Sequence, residues 1–212
     1  MTTAAKICGL NSVSAVEAAS RADFAGFVFF ARSPRCVTRE QARFLASRLP
    51  GRVRRVALVV DIDDAALDAI LTVFRPDILQ LHGAETPARV AEIRTRTGIA
   101  AMKVIGVTEP GDLDAANAYL DVADRLMFDA KPPKRAGALP GGNAVSFDWK
   151  LLAGRTWARP WMLAGGLTPS NVAAAIATSG APAVDVSSGV ESGPGRKSPR
   201  LIRRFLAAVR AA

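Results

Sequence analysis

The sequence predicts a single-domain (βα)8 barrel over residues 1–212, in which eight parallel strands close on themselves inside a ring of helices. A length of 212 residues suits one domain with a large core. Short apolar runs alternate with helix-like stretches, which is typical of βα units. Eight such runs occur, one for about every 26 residues, and a strand, a helix and two loops need about that length.

The predicted strands are these eight runs in chain order. They cover residues 4–8, 24–29, 54–60, 78–82, 101–107, 125–129, 161–165 and 183–187. An open, doubly wound sheet is the alternative architecture. The glycine-rich dinucleotide fingerprint that usually accompanies such a sheet is missing after the first run, so the closed barrel is favoured.

Start and stop signals place helices between the strands. The predicted caps and their helices are Ser12 or Ser14 for residues 13–22, Thr38 with Gln41 for 42–49, Asp63 or Asp64 for 65–74, Thr86-Pro87 for the fourth helix and Thr168-Pro169 for 172–179. A last amphipathic helix is expected near residues 199–211. Residues 130–147 and 191–198 lack such signals. The first of these is long and rich in Pro and Gly, as functional lids often are.

Composition excludes several classes of protein. Hydrophobic residues make up 50% of the chain and charged residues 22%, which is normal for a globular domain. No apolar run reaches the roughly 18 residues of a membrane helix, and residues 1–6 do not resemble a signal peptide, so we expect a cytoplasmic protein without a membrane partner. Two cysteines and one histidine are too few for a disulfide framework or a zinc site, and no metal is expected.

The net charge of +9 raises the question of nucleic-acid binding. The basic residues are scattered along the chain, however, and no five of them are consecutive. A solvated basic surface that attracts a small anionic substrate explains the charge better.

Polar residues gather where the predicted strands end, and barrel enzymes carry their active sites there. Cys8 is a buried structural thiol in the ordinary interpretation and a thiolate base or nucleophile in the functional one. Asp129 ends the sixth run, where apolar neighbours favour a protonated carboxyl group, although a helix cap or a solvated acid remains an alternative. Arg35 is the best candidate to bind a carboxylate, although Arg32 and Arg39 are nearby and a surface arginine is the ordinary interpretation. His82 ends the fourth run, and a structural role is its ordinary interpretation.

Two small-residue clusters follow the seventh and eighth runs, where barrel enzymes often bind phosphate through backbone N–H groups. Gly165 and Gly166 form the first cluster, and Ser187, Ser188 and Gly189 form the second. A Cβ atom in the first cluster would hinder the approach of phosphate oxygens. Two adjacent glycines alone usually mark a turn, but equivalent clusters after neighbouring strands favour a phosphate site.

Six segments carry a more specific signal. They are KICGL at 6–10, FARSPR at 30–35, QLHG at 80–83, FDW at 147–149, LAGGLTPSNV at 163–172 and VDVSSGVE at 184–191. Together, and in this order, they resemble phosphoribosylanthranilate isomerase of tryptophan biosynthesis. Several of them occur singly in other phosphate-binding barrels, whereas the full set is specific, and the resemblance covers nearly the whole chain.

The resemblance implies an enzyme that converts N-(5′-phosphoribosyl)anthranilate into 1-(2-carboxyphenylamino)-1-deoxyribulose 5-phosphate without a cofactor or metal. It implies that Cys8 is the general base and Asp129 the general acid of this Amadori rearrangement. Arg35 would hold the anthranilate carboxylate with Asp185 nearby, and His82 is placed with the substrate-binding residues. The implied phosphate ligands are Gly165, Gly166, Ser187, Ser188 and Gly189.

Some positions depart from the family pattern, namely Asn11, residues 141–144 and Lys197-Ser198, and they bear on the lid more than on the reaction. The related sugar isomerase of histidine biosynthesis is a second interpretation, but that family has an aspartate where Cys8 stands. A basic nucleic-acid-binding module is a third, and only the net charge supports it. The sequence leaves open whether the protein is a monomer or a homodimer.

Overall fold

The computed structural model, which describes residues 2–132, 141–142 and 145–212, confirms the closed barrel. Its strands are β1 (Ala4–Ile7), β2 (Phe24–Val28), β3 (Arg54–Val59), β4 (Ile78–Leu81), β5 (Ala100–Val107), β6 (Arg125–Ala130), β7 (Trp161–Leu163) and β8 (Ala183–Val186). All pairs are parallel and follow the order of the chain, and β8 returns to pair with β1. Each predicted strand is present, with ends that differ by two residues at most.

The helices lie outside the barrel. They are α1 (Val13–Ala18), α2 (Arg39–Ala46), α3 (Asp64–Val73), α4 (Pro87–Thr97), α5 (Val172–Ser179) and α6 (Pro199–Ala211), with 3-10 helices at Ala19–Arg21, Pro110–Tyr119, Trp149–Leu152 and Ser188–Val190. No helix had been predicted at Pro110–Tyr119. Within the described ranges, no helix has both the length and the hydropathy that crossing a bilayer requires.

Most predicted helix starts are confirmed. Thr38 and Gln41 form the expected capping box, and Asp63 rather than Asp64 caps α3. The helix predicted at residues 172–179 after Thr168-Pro169 is present with these bounds, but Asn171 and not Thr168 is its N-cap residue. The Asn171 side chain accepts a hydrogen bond from the Thr168 N–H group, at 2.7 Å, and closes residues 168–171 into a turn. The same Thr-Pro pair therefore starts α4 directly but precedes α5 by a turn.

The Gly- and Pro-rich segment after β8 forms a small antiparallel hairpin rather than an irregular loop. Its strands are β9 (Glu191–Gly193) and β10 (Arg196–Lys197). The hairpin lies beside the carboxyl end of β1, where Asn11 donates a hydrogen bond to the carbonyl of Gly195 at 2.8 Å. This contact explains an asparagine at position 11, one of the departures noted above.

Alternation along the strands divides the core in two. Outward-facing residues such as Ile7 and Phe27 pack against the helices, whereas inward-facing ones such as Phe24 and Met127 fill the lower barrel. Toward the carboxyl ends the interior becomes polar. Lys6, Gln80 and Asp129 are all buried there. The fold thus closes one end of the barrel with apolar side chains and concentrates polar groups at the other.

Candidate active site

A cavity opens to solvent at the carboxyl ends of the barrel strands, and about 760 Å³ of space, open solvent at its mouth included, lies within it. The predicted site residues on its wall are Cys8, Arg35, His82, Asp129, Gly165, Gly166, Asp185, Ser187 and Ser188. Gly189 lies one residue beyond the wall. The structure therefore brings together groups from both ends of the chain.

Cys8 lies directly after β1 with its side chain buried in the cavity wall. Its backbone N–H donates to the carbonyl of Val186 at 2.9 Å, so β8 fixes its position. Burial raises the pKa of the Cys8 thiol above its ordinary value; the charge of Lys6 opposes that rise, Asp185 adds to it and Lys197 opposes it. Because the net shift is upward, the thiolate is a minority form of the free protein at neutral pH.

Lys6 lies on β1, two residues before Cys8. Its side chain projects to the same inward face and is fully buried. Its ammonium group donates to Asp185 Oδ1 at 2.8 Å, and the strand register places the two residues opposite each other. Burial acts to lower the pKa of Lys6, but the interactions with Asp185 and Cys8 together outweigh it and the net pKa is raised. Asp185 is thus on the cavity wall, as expected, but its described charge partner is Lys6.

Asp129 lies near the end of β6 and contacts His82 on the cavity wall. The distance from Asp129 Oδ2 to His82 Nε2 is 3.4 Å, and Gln80 Nε2 lies 3.1 Å from His82 Nδ1. In this orientation the Gln80 amide donates to Nδ1, so a neutral His82 carries its proton on Nε2 and directs it toward Asp129. The three side chains form a chain of contacts that ends on the carboxyl group.

Arg35 is buried and already bound to a carboxylate of the protein. Its Nε and Nη2 donate to the two carboxylate oxygens of Glu191, at 2.7 and 2.9 Å. The Nη1–Nη2 edge faces Gly142, where any Cβ atom would lie 2.6 Å from Nη1. The Nε edge is thus occupied, and Nη2 also donates to the carbonyl of Gly142 at 3.4 Å, so a ligand carboxylate competes with Gly142 for the Nη1–Nη2 edge.

The hairpin supplies two groups that the sequence analysis did not single out as site residues. Lys197 donates to Glu191 Oε1 at 2.8 Å and to the carbonyl of Ser187 at 2.7 Å. Burial acts to raise the pKa of Glu191, but the hydrogen bond from Arg35 and the charge of Lys197 outweigh it and lower that pKa. Burial lowers the pKa of Lys197. Glu191 is thus an anion held between two buried cations.

The structure gives a packing reason for the glycines near the predicted phosphate site. Gly165 and Gly166 both have positive φ, at 89° and 63°. A Cβ atom on Gly165 would lie 2.8 Å from the backbone nitrogen of Ala130 and 3.1 Å from Asp129 Oδ1. A Cβ atom on Gly189 would meet the carbonyl oxygen of Leu167. These glycines let the loops after β6, β7 and β8 approach one another.

Comparison with known proteins gives the family. The sequence profile of N-(5′-phosphoribosyl)anthranilate (PRA) isomerase matches residues 5–208. The chain belongs to this family. An isomerase of the same description from Paramagnetospirillum magneticum is 59% identical over 207 residues, which covers 97% of this chain and 96% of that protein. The resemblance seen in the sequence is confirmed, and PRA isomerisation, a step of tryptophan biosynthesis, is the activity of this enzyme.

Solved structures of PRA isomerases show the same barrel. The enzyme of Thermotoga maritima superimposes with a TM-score of 0.85 at 33% identity, covering 99% of this chain and 100% of that one. A structure of a PRA isomerase in complex with reduced 1-(o-carboxyphenylamino)-1-deoxyribulose 5-phosphate superimposes with a TM-score of 0.81 at 31% identity, with the same coverage of both chains.

The active site of this PRA isomerase contains three buried charged residues to which the sequence analysis assigns no role. They are Lys6, Glu191 and Lys197. Lys6 had a visible signal, since a lysine in the middle of an apolar strand is costly to bury unless it is paired. Glu191 and Lys197 had none, because only the hairpin brings them onto Arg35. The part of the predicted lid at residues 133–140 and 143–144 lies outside the described residues.

Proposed function

We propose that this PRA isomerase carries out its Amadori rearrangement with Cys8 as general base and Asp129 as general acid. The observation that carries the proposal is that a thiol and a carboxyl group, held on β1 and β6, line one cavity at the reactive end of the barrel. The rearrangement requires one proton donor and one proton acceptor on the sugar, and these two groups supply them.

In the first step, Asp129 donates its proton to the ring oxygen of the ribose. The lone pair of the anthranilate nitrogen forms a C1′=N bond while the bond between C1′ and the ring oxygen breaks. The products are an open-chain iminium ion and an Asp129 carboxylate. His82 Nε2, 3.4 Å from Asp129 Oδ2, is placed to stabilise that new negative charge.

In the second step, the Cys8 thiolate removes the proton from C2′. The released electron pair forms the C1′=C2′ bond and neutralises the iminium nitrogen, which gives an enol-amine. Moving the proton of the 2′-hydroxyl to C1′ then produces the ketone. The base must be the thiolate, because a neutral thiol has no basicity adequate to accept a carbon-bound proton.

The two ends of the substrate are anionic, and we assign them to opposite walls of the cavity. The Nη1–Nη2 edge of Arg35 binds the anthranilate carboxylate, and Glu191 holds the guanidinium in place. The phosphate contacts the loops after β7 and β8, at Gly165, Gly166, Ser187, Ser188 and Gly189. Fixing both ends positions the ribose over the acid and base, and positioning of this kind supplies several kcal/mol. Asp185 lies beneath the ribose and acts indirectly, through its ion pair with Lys6.

The assembly and location that we propose follow the same reasoning. A thiol that acts as a base must stay reduced, and both cysteines are free thiols, which suits the cytoplasm. The chain acts as one domain, residues 1–212, on a small phosphosugar and not on nucleic acid, as a monomer or a homodimer. Light scattering after gel filtration distinguishes the two assemblies.

A fluorescence assay that follows consumption of phosphoribosylanthranilate by the pure protein tests the proposal. We expect turnover of this substrate and far less of the corresponding aminoaldose of histidine biosynthesis, assayed side by side. Equal turnover of both would contradict a site built for the anthranilate carboxylate. Normal turnover by a folded protein that lacks the thiol of Cys8 or the acid of Asp129 would refute the role assigned to that residue.

A further inference from the structure

Lys6 is a buried charge whose ion pair does not use all of its hydrogen-bonding capacity. An ammonium group carries three donors. Among the residues that the structure describes, Lys6 Nζ makes one hydrogen bond, to Asp185 Oδ1 at 2.8 Å, although the side chain is fully buried. Leaving a buried charge partly unsatisfied is costly, so the remaining donors require a partner inside the barrel.

The sulfur of Cys8 borders the same space as this ammonium group. Gly26, on β2, faces the space between the two side chains. A Cβ atom at Gly26 would lie 3.1 Å from Cys8 Sγ and 3.2 Å from Lys6 Nζ, so both atoms border the same small gap. Their shared inward face on β1 explains the proximity, because residues two apart on a strand project to the same side.

We propose that Lys6 is a positioning residue of the isomerase, whose ammonium group stabilises the thiolate of Cys8, while Asp185 keeps Lys6 charged. The proposal rests on the assignment of Cys8 as the base, and it explains how a thiol buried in a barrel is deprotonated at all. Lys6 acts from below the sulfur, so the upper face of Cys8 stays open to the C2′ proton of the substrate.

The other charges around Cys8 do not replace Lys6. Asp185, on β8, is negative and disfavours the thiolate, and Lys197, on β10, is engaged with Glu191 and Ser187. Of the charges that act on the pKa of the Cys8 thiol, Lys6 exerts the largest effect, and it lowers that pKa against the rise caused by burial. His82 and Asp129 lie on the same cavity wall, but in contact with each other.

The reactivity of Cys8 toward iodoacetamide, measured as a function of pH, tests the proposal. All variants carry Cys36→Ser, because Cys36 is the exposed thiol, and peptide mass spectrometry confirms that Cys8 is alkylated. Only the thiolate reacts. One unit of rise in pKa leaves about tenfold less thiolate at a given pH but makes it about threefold more nucleophilic, so the net rate falls by about three- to fourfold. We expect Lys6→Met to cause at least this loss at pH 7.5.

Two further variants keep the outcome decisive. Lys6→Met/Asp185→Asn leaves no unpaired buried charge, and we expect a smaller loss of rate in the same direction. Lys103→Met removes a buried, ion-paired lysine that does not contact Cys8, and its alkylation rate should equal that of the parent. Circular dichroism confirms that each variant is folded. Parent rates in folded Lys6→Met or in the double variant, at every pH, would overturn the proposal.

This measurement separates the inference from the function on which it rests. If Lys6→Met slows alkylation but Cys8→Ala retains full isomerase activity, Lys6 activates the thiol and the thiol is not the base. If Cys8→Ala is inactive but Lys6→Met alkylates like the parent, the base is correct and the role of Lys6 is wrong.

Discussion

Two buried lysines of the barrel, Lys6 on β1 and Lys103 on β5, show how one kind of group serves two purposes. Both are inaccessible to solvent and both pair with a carboxylate. Lys103 Nζ donates to Glu85 Oε2 at 2.6 Å, to the carbonyl of Gly83 at 2.7 Å and to that of Leu81 at 3.5 Å. Lys6 has one described hydrogen bond, to Asp185, and borders the thiol of Cys8.

The surroundings of Lys103 bind one side of the rim together. Glu85 accepts from the backbone N–H groups of Asp61 and Gly83, and the ring of Tyr119 lies 5.6 Å from Lys103 Nζ. Asp61 has a positive φ of 45°, which these hydrogen bonds maintain. A fully satisfied buried charge holds loops in place, whereas a partly satisfied one next to a reactive atom is available for chemistry.

The largest expected effect follows from removing the reacting groups themselves. Cys8→Ala and Asp129→Asn should each lower kcat by about two or more orders of magnitude, because each removes one partner in proton transfer. Stability should change less than in a variant that breaks a buried ion pair, since neither substitution removes the carboxylate partner of a buried lysine. Steady-state kinetics and thermal unfolding measure the two quantities. A folded variant that keeps a near-normal kcat would contradict the assignment of the mutated group.

The next effect separates the two lysines. Lys6→Met should lower kcat by about tenfold or more, and Lys103→Met should leave kcat within a few-fold of the parent. Both should lose about 3–5 kcal/mol of unfolding free energy, because each leaves a carboxylate buried without its partner. Urea unfolding and steady-state kinetics give the comparison. An equal loss of kcat in the two variants, at equal stability, would make the two regions functionally alike.

The pH dependence of kcat/KM sharpens the same contrast. The active form carries one proton on the pair, with Cys8 as thiolate and Asp129 as acid. Activity should therefore be flat at intermediate pH and should fall as pH rises through the higher pKa of the pair, that of the thiol, which burial raises.

In Lys6→Met the pH at which kcat/KM falls should move still higher, and kcat/KM at intermediate pH should be lower. Both changes are expected because the thiolate becomes harder to form. Lys103→Met should keep the parent profile. Initial rates at saturating and limiting substrate over a pH series measure both. A fall in kcat/KM that moves to lower pH in Lys6→Met would exclude electrostatic support of the thiolate by Lys6.

A matched pair of glycine substitutions gives the smallest expected effect. Gly26→Ala places a methyl group 3.2 Å from Lys6 Nζ and 3.1 Å from Cys8 Sγ, and Gly83→Ala places one against the carboxylate of Asp61. We expect Gly26→Ala to slow alkylation of Cys8 by a few-fold, since separating the charges weakens their attraction. Gly83→Ala should reduce stability by about 1–3 kcal/mol through crowding and leave the thiol unchanged. The reverse pattern would contradict the division between the two regions.

Much of the barrel could be predicted from local patterns. Each apolar run became a strand, and the box formed by Thr38 and Gln41 began its helix as expected, because these signals depend on residues close in the chain. The signal at Thr168-Pro169 preceded a helix with the predicted bounds, but a turn closed by the Asn171 side chain separates the two, and Asn171 is the N-cap residue. Local patterns do not predict the hairpin that begins at Glu191, because its strands have only three and two residues.

Taken alone, the order of residues determined the barrel, the family and the identity of the groups at the strand ends. These depend on periodicity, on capping and on short motifs, all of which are local in the chain. Only the closed barrel decided that Asp185 would lie under Lys6, that Glu191 would occupy one edge of Arg35, and that Gly26 would leave a gap between a lysine and Cys8. Such pairings depend on strand register and on burial, which appear only when distant segments pack together.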